Sequence, residues 1–267
     1  MYRELVNYAT QTYPFLIKHT DVRYIPHFHE ETEIVYVTEG ELEFTLGTKS
    51  YLIKKGDICI IPSGHIHNLY TYSHSKSFVM KLYPIIDLSG MQLKNYIISQ
   101  DFPYYNQVLE YITEIIDEND NKTHGFELAV NINAEKLFLF VLRKMDYVIP
   151  DKKIRIRRNS ENDFLSEVNL FIENNLNSDI SLDDIARRFN YTKSYFCRYF
   201  KKVTGNTFWE YYTMFRLEKS VDLIRSNTKE NFTGVAVKSG FKNVRSFNQS
   251  FKEYYRCTPS EYRKMLK

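Results

Sequence analysis

The feature that most constrains this chain is an internal repeat in its last third. At an offset of 51, "TKSYFCRYFKKVTGNTFWEY" (192–211) lies over "NVRSFNQSFKEYYRCTPSEY" (243–262). Phe196 then meets Phe247, Phe200 meets Phe251, Lys201 meets Lys252, Thr207 meets Thr258, and Glu210–Tyr211 meets Glu261–Tyr262. Upstream, "IARRFNY" (185–191) parallels "VAVKSGF" (235–241), with the intervening loop one residue longer in the second copy. A unit that appears twice is a supersecondary building block, and its two copies must fold alike.

Each copy predicts a helix, a tight turn and a second helix. Ser181 is placed to cap "LDDIARRF", with Asp183 and Asp184 in the first turn, where the helix dipole favours anions. Asn190 in one copy and Gly240 in the other suit a left-handed turn residue. In the helices after the turns, Phe196, Tyr199, Phe200 and Val203, and then Phe247, Phe251 and Tyr254, form one apolar face each. The opposite stripes are Ser194, Cys197, Arg198 and Lys201, and Arg245, Asn248, Gln249 and Lys252. Such a line of side chains suits a helix entering the major groove: Arg for guanine, Asn or Gln for adenine, Lys for phosphate. Exposed helix faces are always polar, so either stripe alone has a bland explanation; two at matching positions are harder to dismiss. Between the units, residues 207–227 predict a long helix that would hold the two recognition helices apart.

Charge divides the same way. Residues 1–150 carry 13 Lys+Arg against 19 Asp+Glu, a balance of −6, whereas the remainder carries 23 against 14, a balance of +9. The basic half is the natural partner of a polyanion. Three isolated cysteines, Cys59, Cys197 and Cys257, fit reduced thiols in a cytoplasm. The longest apolar runs, such as "LFLFVL" (137–142), are too short to span a bilayer, and "MYRELVNYAT" lacks a secretory leader pattern.

Residues 163–267 resemble the DNA-binding domain of the AraC/XylS family of bacterial transcription regulators. The resemblance rests on "LDDIARRFNYTKSYFCRYFKKVTG", "FRLEKSVDLI" and "VAVKSGFKNVRSFNQSFKEYYRCTPSEYR". It implies two helix-turn-helix units joined by a long helix. Three positions depart from the pattern: Gly234 stands where an acidic residue is usual, Ser220 for a customary alanine, and Arg256 for a customary glycine. Gly in a helix costs roughly 1 kcal/mol against Ala, so the second unit is expected to be the softer one.

The first hundred residues predict strands. "ELEFTLG" places Leu42, Phe44 and Leu46 on one face, and "EIVYV", "DICIIP" and "SFVMKLY" are β-branched or aromatic runs. Short strands with short turns suggest a sandwich or small barrel. Later, "NQVLEYITEIIDEN" and "FELAVNINAEKLFLFVLRKM" predict two amphipathic helices, able to pack on their own domain or pair with a second subunit. The basic, proline-led "PDKKIRIRRNSEN" (150–162) marks the boundary.

Within the strand region, His27, His29, Glu33 and Gly40 have the spacing H-x-H-x3-E-x6-G, and "GDICIIPSGHIH" (56–67) ends at His67. Together they resemble the two sequence motifs of the cupin barrel, except that Thr71 stands where asparagine is usual. In a strand, His27, His29 and Glu33 share parity, so with His67 they could converge on a divalent metal. His65 is expected in the turn. Tyr24, Tyr36, Tyr70 and Tyr72 could wall a sugar site, although ring-rich strands are more often core. Three readings stay open: a metal-dependent cupin enzyme, which a fused DNA-binding domain argues against, a metal-using sensor, and a metal-free sensor. An interaction scaffold without DNA reading is a further alternative.

The expected protein is an α+β chain of two domains and not an enzyme. Residues 1–150 would form a cupin-like β-barrel with accessory helices for effector binding and dimerisation, 151–162 a linker, and 163–267 an all-α double helix-turn-helix. DNA contacts are assigned to Ser194, Cys197, Arg198, Lys201, Arg245, Asn248, Gln249 and Lys252. Effector contacts, and any divalent metal in the barrel, are assigned to His27, His29, Glu33 and His67. The expected partners are promoter DNA, a small-molecule effector such as a carbohydrate, a second copy of the chain, and RNA polymerase if the protein is an activator. The expected place is the cytoplasm.

Overall fold

The computed structural model describes residues 15–82, 91–226 and 230–265. Residues 1–10, Tyr83 and Asn227, on which parts of the sequence reading fall, lie outside them. The chain divides into two compact units. One comprises His27–Asn162 with the strand that precedes Arg23; the other begins at Asp163 and includes Arg23–Pro26.

The first unit is sheet-rich. Its strands are β1 (Phe15–Thr20), β2 (Thr32–Leu46), β3 (Lys49–Lys54), β4 (Ile58–Ile61), β5 (His67–Tyr70), β6 (Ser75–Leu82), β7 (Gln92–Leu93) and β8 (Ile97–Ile98). They pair in the order β1-β6-β2-β4-β8, with β3 and β5 also on β2. The early half of β2 pairs with β6 and β4, its later half with β3 and β5. Two features in β2 permit this double duty. A bulge falls between Val37 and Glu39, and Gly40 has φ 67° with the His74 carbonyl so close that a Cβ would collide with it. Alternation in β2 is as predicted: Leu42 and Phe44 are buried, and Glu43 and Thr45 are half-exposed.

Two helices follow, α1 (Tyr105–Asn121) and α2 (Phe126–Lys144), then β9 (Tyr147–Val148), which pairs with β7. α1 buries Val108, Ile112, Ile115 and Ile116, the predicted stripe, and packs against α2. α2 buries one face through Val130, Ala134, Leu137, Phe138 and Val141, yet Leu128, Ile132 and Leu139 remain exposed. The expected linker is helical: α3 (Lys152–Asn174) takes in residues 152–162 and continues past the division at Asp163. Asp151 starts it by accepting from Ile154 N at 2.9 Å, and an Arg157–Glu161 pair at 2.8 Å supports it one turn on.

The second unit is helical: α4 (Leu182–Arg188), α5 (Lys193–Thr204), α6 (Phe208–Ser226), α7 (Phe232–Lys238), α8 (Val244–Tyr255) and α9 (Pro259–Met265). Phe164, Phe196, Phe200, Phe208 and Tyr211 build a ring-rich core around α5, with edge-to-face contacts such as Phe200–Tyr211 at 5.3 Å. Leu217, Val221, Ile224, Val235, Ala236, Phe241, Phe247 and Phe251 form the second core around α8. α6 contributes to both. Arg23–Pro26 is held in this unit by Ile25 N donating to Glu218 Oε1 at 3.0 Å and Tyr211 Oη donating to Pro26 O at 3.2 Å.

Candidate functional site

The histidine–glutamate set converges, although not by the route its parity suggested. Residues 28–31 form no strand; His27 makes an isolated bridge to His67, each donating its backbone N–H to the other's carbonyl at 2.9 and 2.8 Å. Directly opposed residues carry their side chains on one face, so the His27 and His67 rings meet with centroids 4.5 Å apart. Glu33 enters from β2 and is fully buried. His29 Nε2 lies 3.0 Å from Glu33 Oε2, and His67 Nε2 lies 3.8 Å from Glu33 Oε1. One ligand atom from each of His27, His29, Glu33 and His67 falls within 4.8 Å of all the others.

Backbone carbonyls fix two of the rings. His29 Nδ1 donates to Glu31 O at 3.0 Å and His67 Nδ1 donates to His65 O at 2.8 Å. Burial, followed by the charges of His67, His29 and Lys81, holds the His27 pKa well below the ordinary imidazole value. Burial alone would raise Glu33; the neighbouring His29 and His67 rings, with the charge of Lys81, overcome it and leave the carboxyl well below its usual range. His65 lies apart from this set, as expected: its Nδ1 donates within the turn to Pro62 O and Ser63 O at 3.0 and 3.2 Å. Burial and the nearby Arg158 charge push its pKa down to about 4. Tyr72 is exposed and donates to Glu43 Oε2 at 3.0 Å, and Tyr70 stacks on its edge, so this pair does not join the cluster.

Two elements escaped the sequence reading. Lys81 is buried with its Nζ 3.9 Å from Glu33 Oε2. The signal was a lone lysine in the apolar run of β6, and the β2–β6 register pairs it with Glu33. The second is a cavity of about 330 Å³ lined by Gly64, Lys152, Arg155, Ile156, Arg158 and Asn159, cationic on its helical side. Gly64 links it to the cluster, donating its N–H to His29 O at 2.8 Å.

In the helical unit, the two copies match atom for atom at their caps. Thr192 accepts from Tyr195 N, and Asn243, 51 residues on, accepts from Ser246 N. Thr207 Oγ1 and Thr258 Oγ1 each donate to a glutamate, Glu210 and Glu261, at 2.8 Å, and each glutamate N–H donates back. The backbone N–H groups of Thr207 and Thr258 also donate to Glu210 Oε2 and Glu261 Oε2 at 2.8 and 2.7 Å; with the hydroxyl bonds they hold both carboxyls below their usual range, assisted by Lys201 and Lys252 respectively. α4 starts with a full capping box between Ser181 and Asp184. On α5, Ser194, Arg198 and Lys201 are exposed and Cys197 is half-buried; on α8, Arg245, Asn248, Gln249 and Lys252 are all exposed. Gln249 Nε2 donates to Glu253 at 3.0 Å. Both polar stripes therefore lie opposite buried phenylalanines, as the pattern required.

Residues 185–265 match the profile described as a helix-turn-helix domain, and residues 12–110 match that of an AraC-like ligand binding domain. The Transposon Tn10 TetD protein of Escherichia coli is 42% identical over 100 residues, covering 38% of this chain and 72% of that protein. The chain belongs to the AraC family. The AraC-family melibiose operon regulatory protein of E. coli K12 is 22% identical, over 90% of this chain and 83% of its own. The crystal structure of unsaturated-fatty-acid-bound ToxT from Vibrio cholerae superposes with a TM-score of 0.56 at 16% identity, covering 96% of each chain, which establishes the shared fold. This AraC-family chain is thus a DNA-binding transcriptional regulator with an N-terminal ligand-binding domain, not an enzyme.

Two of the family departures now have a physical meaning. Gly205 ends α5 in a left-handed conformation, φ 78°; its repeat partner Arg256 ends α8 in the same region, φ 60°. Asn231 caps α7 by accepting from Gly234 N at 2.7 Å, but Gly234 has no side chain to return the bond that Asp184 supplies in α4.

Proposed function

We propose that α5 and α8 insert into successive major grooves, with Arg198, Arg245, Asn248 and Gln249 addressing bases and Ser194, Lys201 and Lys252 addressing phosphates. Cys197, half-buried, would make at most a short apolar contact. The observation that carries this reading is the pair of exposed polar stripes at equivalent positions of a duplicated unit. α6, with 19 residues, is about 28 Å long, close to the roughly 34 Å between adjacent groove faces. Footprinting on promoter fragments with wild type and Arg198→Ala tests it. Loss of cognate protection with random-DNA affinity unchanged is expected; equal loss on both would reduce Arg198 to a phosphate contact.

The sheet-rich domain, read as a cupin-like barrel with its accessory helices, would be the effector domain. Its polar centre is the His27–His29–Glu33–His67 cluster, the set that would touch an effector or hold a metal. A carbohydrate effector is supported by the melibiose and lactose operons named for two relatives that match over most of their length. Lys152, Arg155 and Arg158 around the cavity make an acidic or phosphorylated sugar a better fit than a neutral one. Binding would change which docking arrangement the regulator prefers, and so its occupancy of paired half-sites. The exposed Leu128, Ile132 and Leu139 of α2 form an apolar stripe suited to pairing with a second copy. Such a dimer would act in the cytoplasm and, as an activator, contact RNA polymerase. Calorimetric titration with neutral sugars, sugar phosphates and an unsaturated fatty acid separates the effector classes.

A further inference from the structure

We infer that the cavity between the 62–65 turn and the start of α3 binds a phosphorylated sugar or polyol, at a site separate from the histidine–glutamate cluster. The inference rests on the effector reading proposed for this domain and narrows it from acidic ligands in general to a phosphate ester that carries free hydroxyls. The cavity, about 330 Å³, lies at the lower end of ordinary ligand pockets, roughly 300–1,000 Å³, which suits a small metabolite. Its described lining residues include the cationic Lys152, Arg155 and Arg158 and no carboxylate. Glu161, close by on α3, already pairs with Arg157 at 2.8 Å. A doubly charged phosphate matches three cations better than a single carboxylate does, and an arginine fork engages two of its oxygens at once.

Unpartnered polar atoms behind this wall are the second, independent observation. Among the described residues, the buried atoms His65 Nε2, Tyr96 Oη and Asn162 Oδ1 have no hydrogen-bond partner. All three belong to the same corner. His65 follows Gly64, Asn162 Nδ2 donates to Gly64 O at 3.0 Å, and the Tyr96 ring stands 6.4 Å from that of His65. Tyr96 is held there by Ile60 N donating to its carbonyl at 2.8 Å. The charge of Arg158 is felt by both His65 and Tyr96.

The chemistry of these atoms selects the ligand. Carbonyls only accept, so His65 Nδ1 carries the hydrogen that goes to Pro62 O and Ser63 O, and Nε2 of the neutral ring is an acceptor. Asn162 spends its amide N–H on Gly64 O, which leaves Oδ1 as a second acceptor. Burial pushes the Tyr96 hydroxyl up to about 12, so it keeps its hydrogen and donates. Two acceptors call for O–H donors, whereas one donor and three cations call for anionic oxygens. A sugar phosphate carries both. A fatty acid has no hydroxyl beyond its ionised head, and a neutral sugar sets no charge against the cations. Water would satisfy the three orphaned atoms but leave those cations without a counter-charge. Asn162 already ties the 62–65 turn to α3, and a phosphate on Lys152, Arg155 and Arg158 would tie the same turn to the helix two turns earlier.

The test is calorimetric titration of the full-length protein at low ionic strength with glucose 6-phosphate, glycerol 3-phosphate, glucose and oleate. Saturable binding of one phosphate ester per chain is expected, with no heat from glucose at the same concentration and no displacement by oleate. Tyr96→Phe removes only an unpartnered hydroxyl, so the ligand-free Tm should hold while affinity falls roughly 10-fold or more, the loss of one hydrogen bond to a charged group. Arg158→Gln should weaken binding at least as much. Lys76→Gln, which removes an exposed cation of the same domain, should leave it unchanged. No saturable uptake of either ester by folded wild type overturns the inference. Wild-type affinity in folded Tyr96→Phe and Arg158→Gln, glucose bound as tightly as its phosphate, or displacement of the ester by oleate also overturns it. Promoter footprints with and without the ester keep the two readings apart: a footprint indifferent to bound ester would count against effector control and leave the site standing.

Discussion

Arg256→Gly should stabilise the DNA-binding unit. Arg256 ends α8 at φ 60°, in the left-handed region, where the repeat places Gly205 in the first copy at φ 78°. An L-residue with a side chain is disfavoured there by roughly 1–2 kcal/mol. Glycine removes that cost but gives up roughly 0.5–1 kcal/mol through the greater freedom of the unfolded chain. The net gain is about 0.5–1 kcal/mol. For a unit of this size, 1 kcal/mol moves Tm by roughly 4–8 °C, so a rise of about 2–8 °C is expected. Thermal unfolding of the full-length chain, followed by circular dichroism in the helical band, reads it. The mirror change, Gly205→Ala, should lower the same transition, since it installs a side chain at the equivalent left-handed position. A neutral or destabilising Arg256→Gly beside a neutral Gly205→Ala would refute the claim that the two caps are conformationally equivalent.

Gly234→Ala should raise stability by roughly 0.5–1 kcal/mol in a denaturant titration, because α7 has a glycine in its first turn. An added Cβ meets the carboxylate end of Glu230, a flexible group that can rotate away, and stands 3.3 Å from Asn231 Oδ1, the cap oxygen, which must give by a few tenths of an ångström. Arg198→Ala should cost roughly 1–3 kcal/mol at the cognate operator, read by competition binding at fixed salt. If α2 pairs two copies as proposed, replacing Leu128, Ile132 and Leu139 together by glutamate should shift the dimer to monomer in light scattering while leaving its circular dichroism unchanged. Asp184, Glu210 and Glu261 have depressed folded-state pKa values, so their stabilisation is fully present above the ordinary values, 3.8 for the aspartate and 4.5 for the glutamates, and is lost as pH falls below them. Urea midpoints measured from pH 6 down to about pH 3 should therefore fall more gently in Glu210→Gln and Glu261→Gln.

The helical unit was legible because its signals are local. Phenylalanines at helical spacing, capping residues at fixed offsets and a second copy of each left few alternatives, and Ser181, Asn190 and Gly240 occupy the backbone states expected of them. The cluster was legible in membership but not in cause. Strand parity grouped His27 with His29 and Glu33, whereas the chain instead turns after a single bridge at His27. Lys81 was missed because nothing in β6 alone says which strand will lie beside it; only the register sets it against Glu33. The segment 152–162 read as a polar linker because Ile154 and Ile156, both exposed, give no helical stripe. Its helix rests on the Asp151 cap and on charge pairs one turn apart, which the apolar pattern does not reveal.

The most direct measurement is crosslinking of the regulator to its own chromosome, with sequencing of the bound fragments as the carbon source is varied. Enriched sites beside a transport or catabolic operon are expected, each with two half-sites for α5 and α8, and with occupancy that changes with carbon source. Arg198→Ala should lose those sites selectively. The absence of enriched sites under every condition would contradict sequence-specific DNA reading, and occupancy indifferent to carbon source would contradict control by a carbohydrate effector.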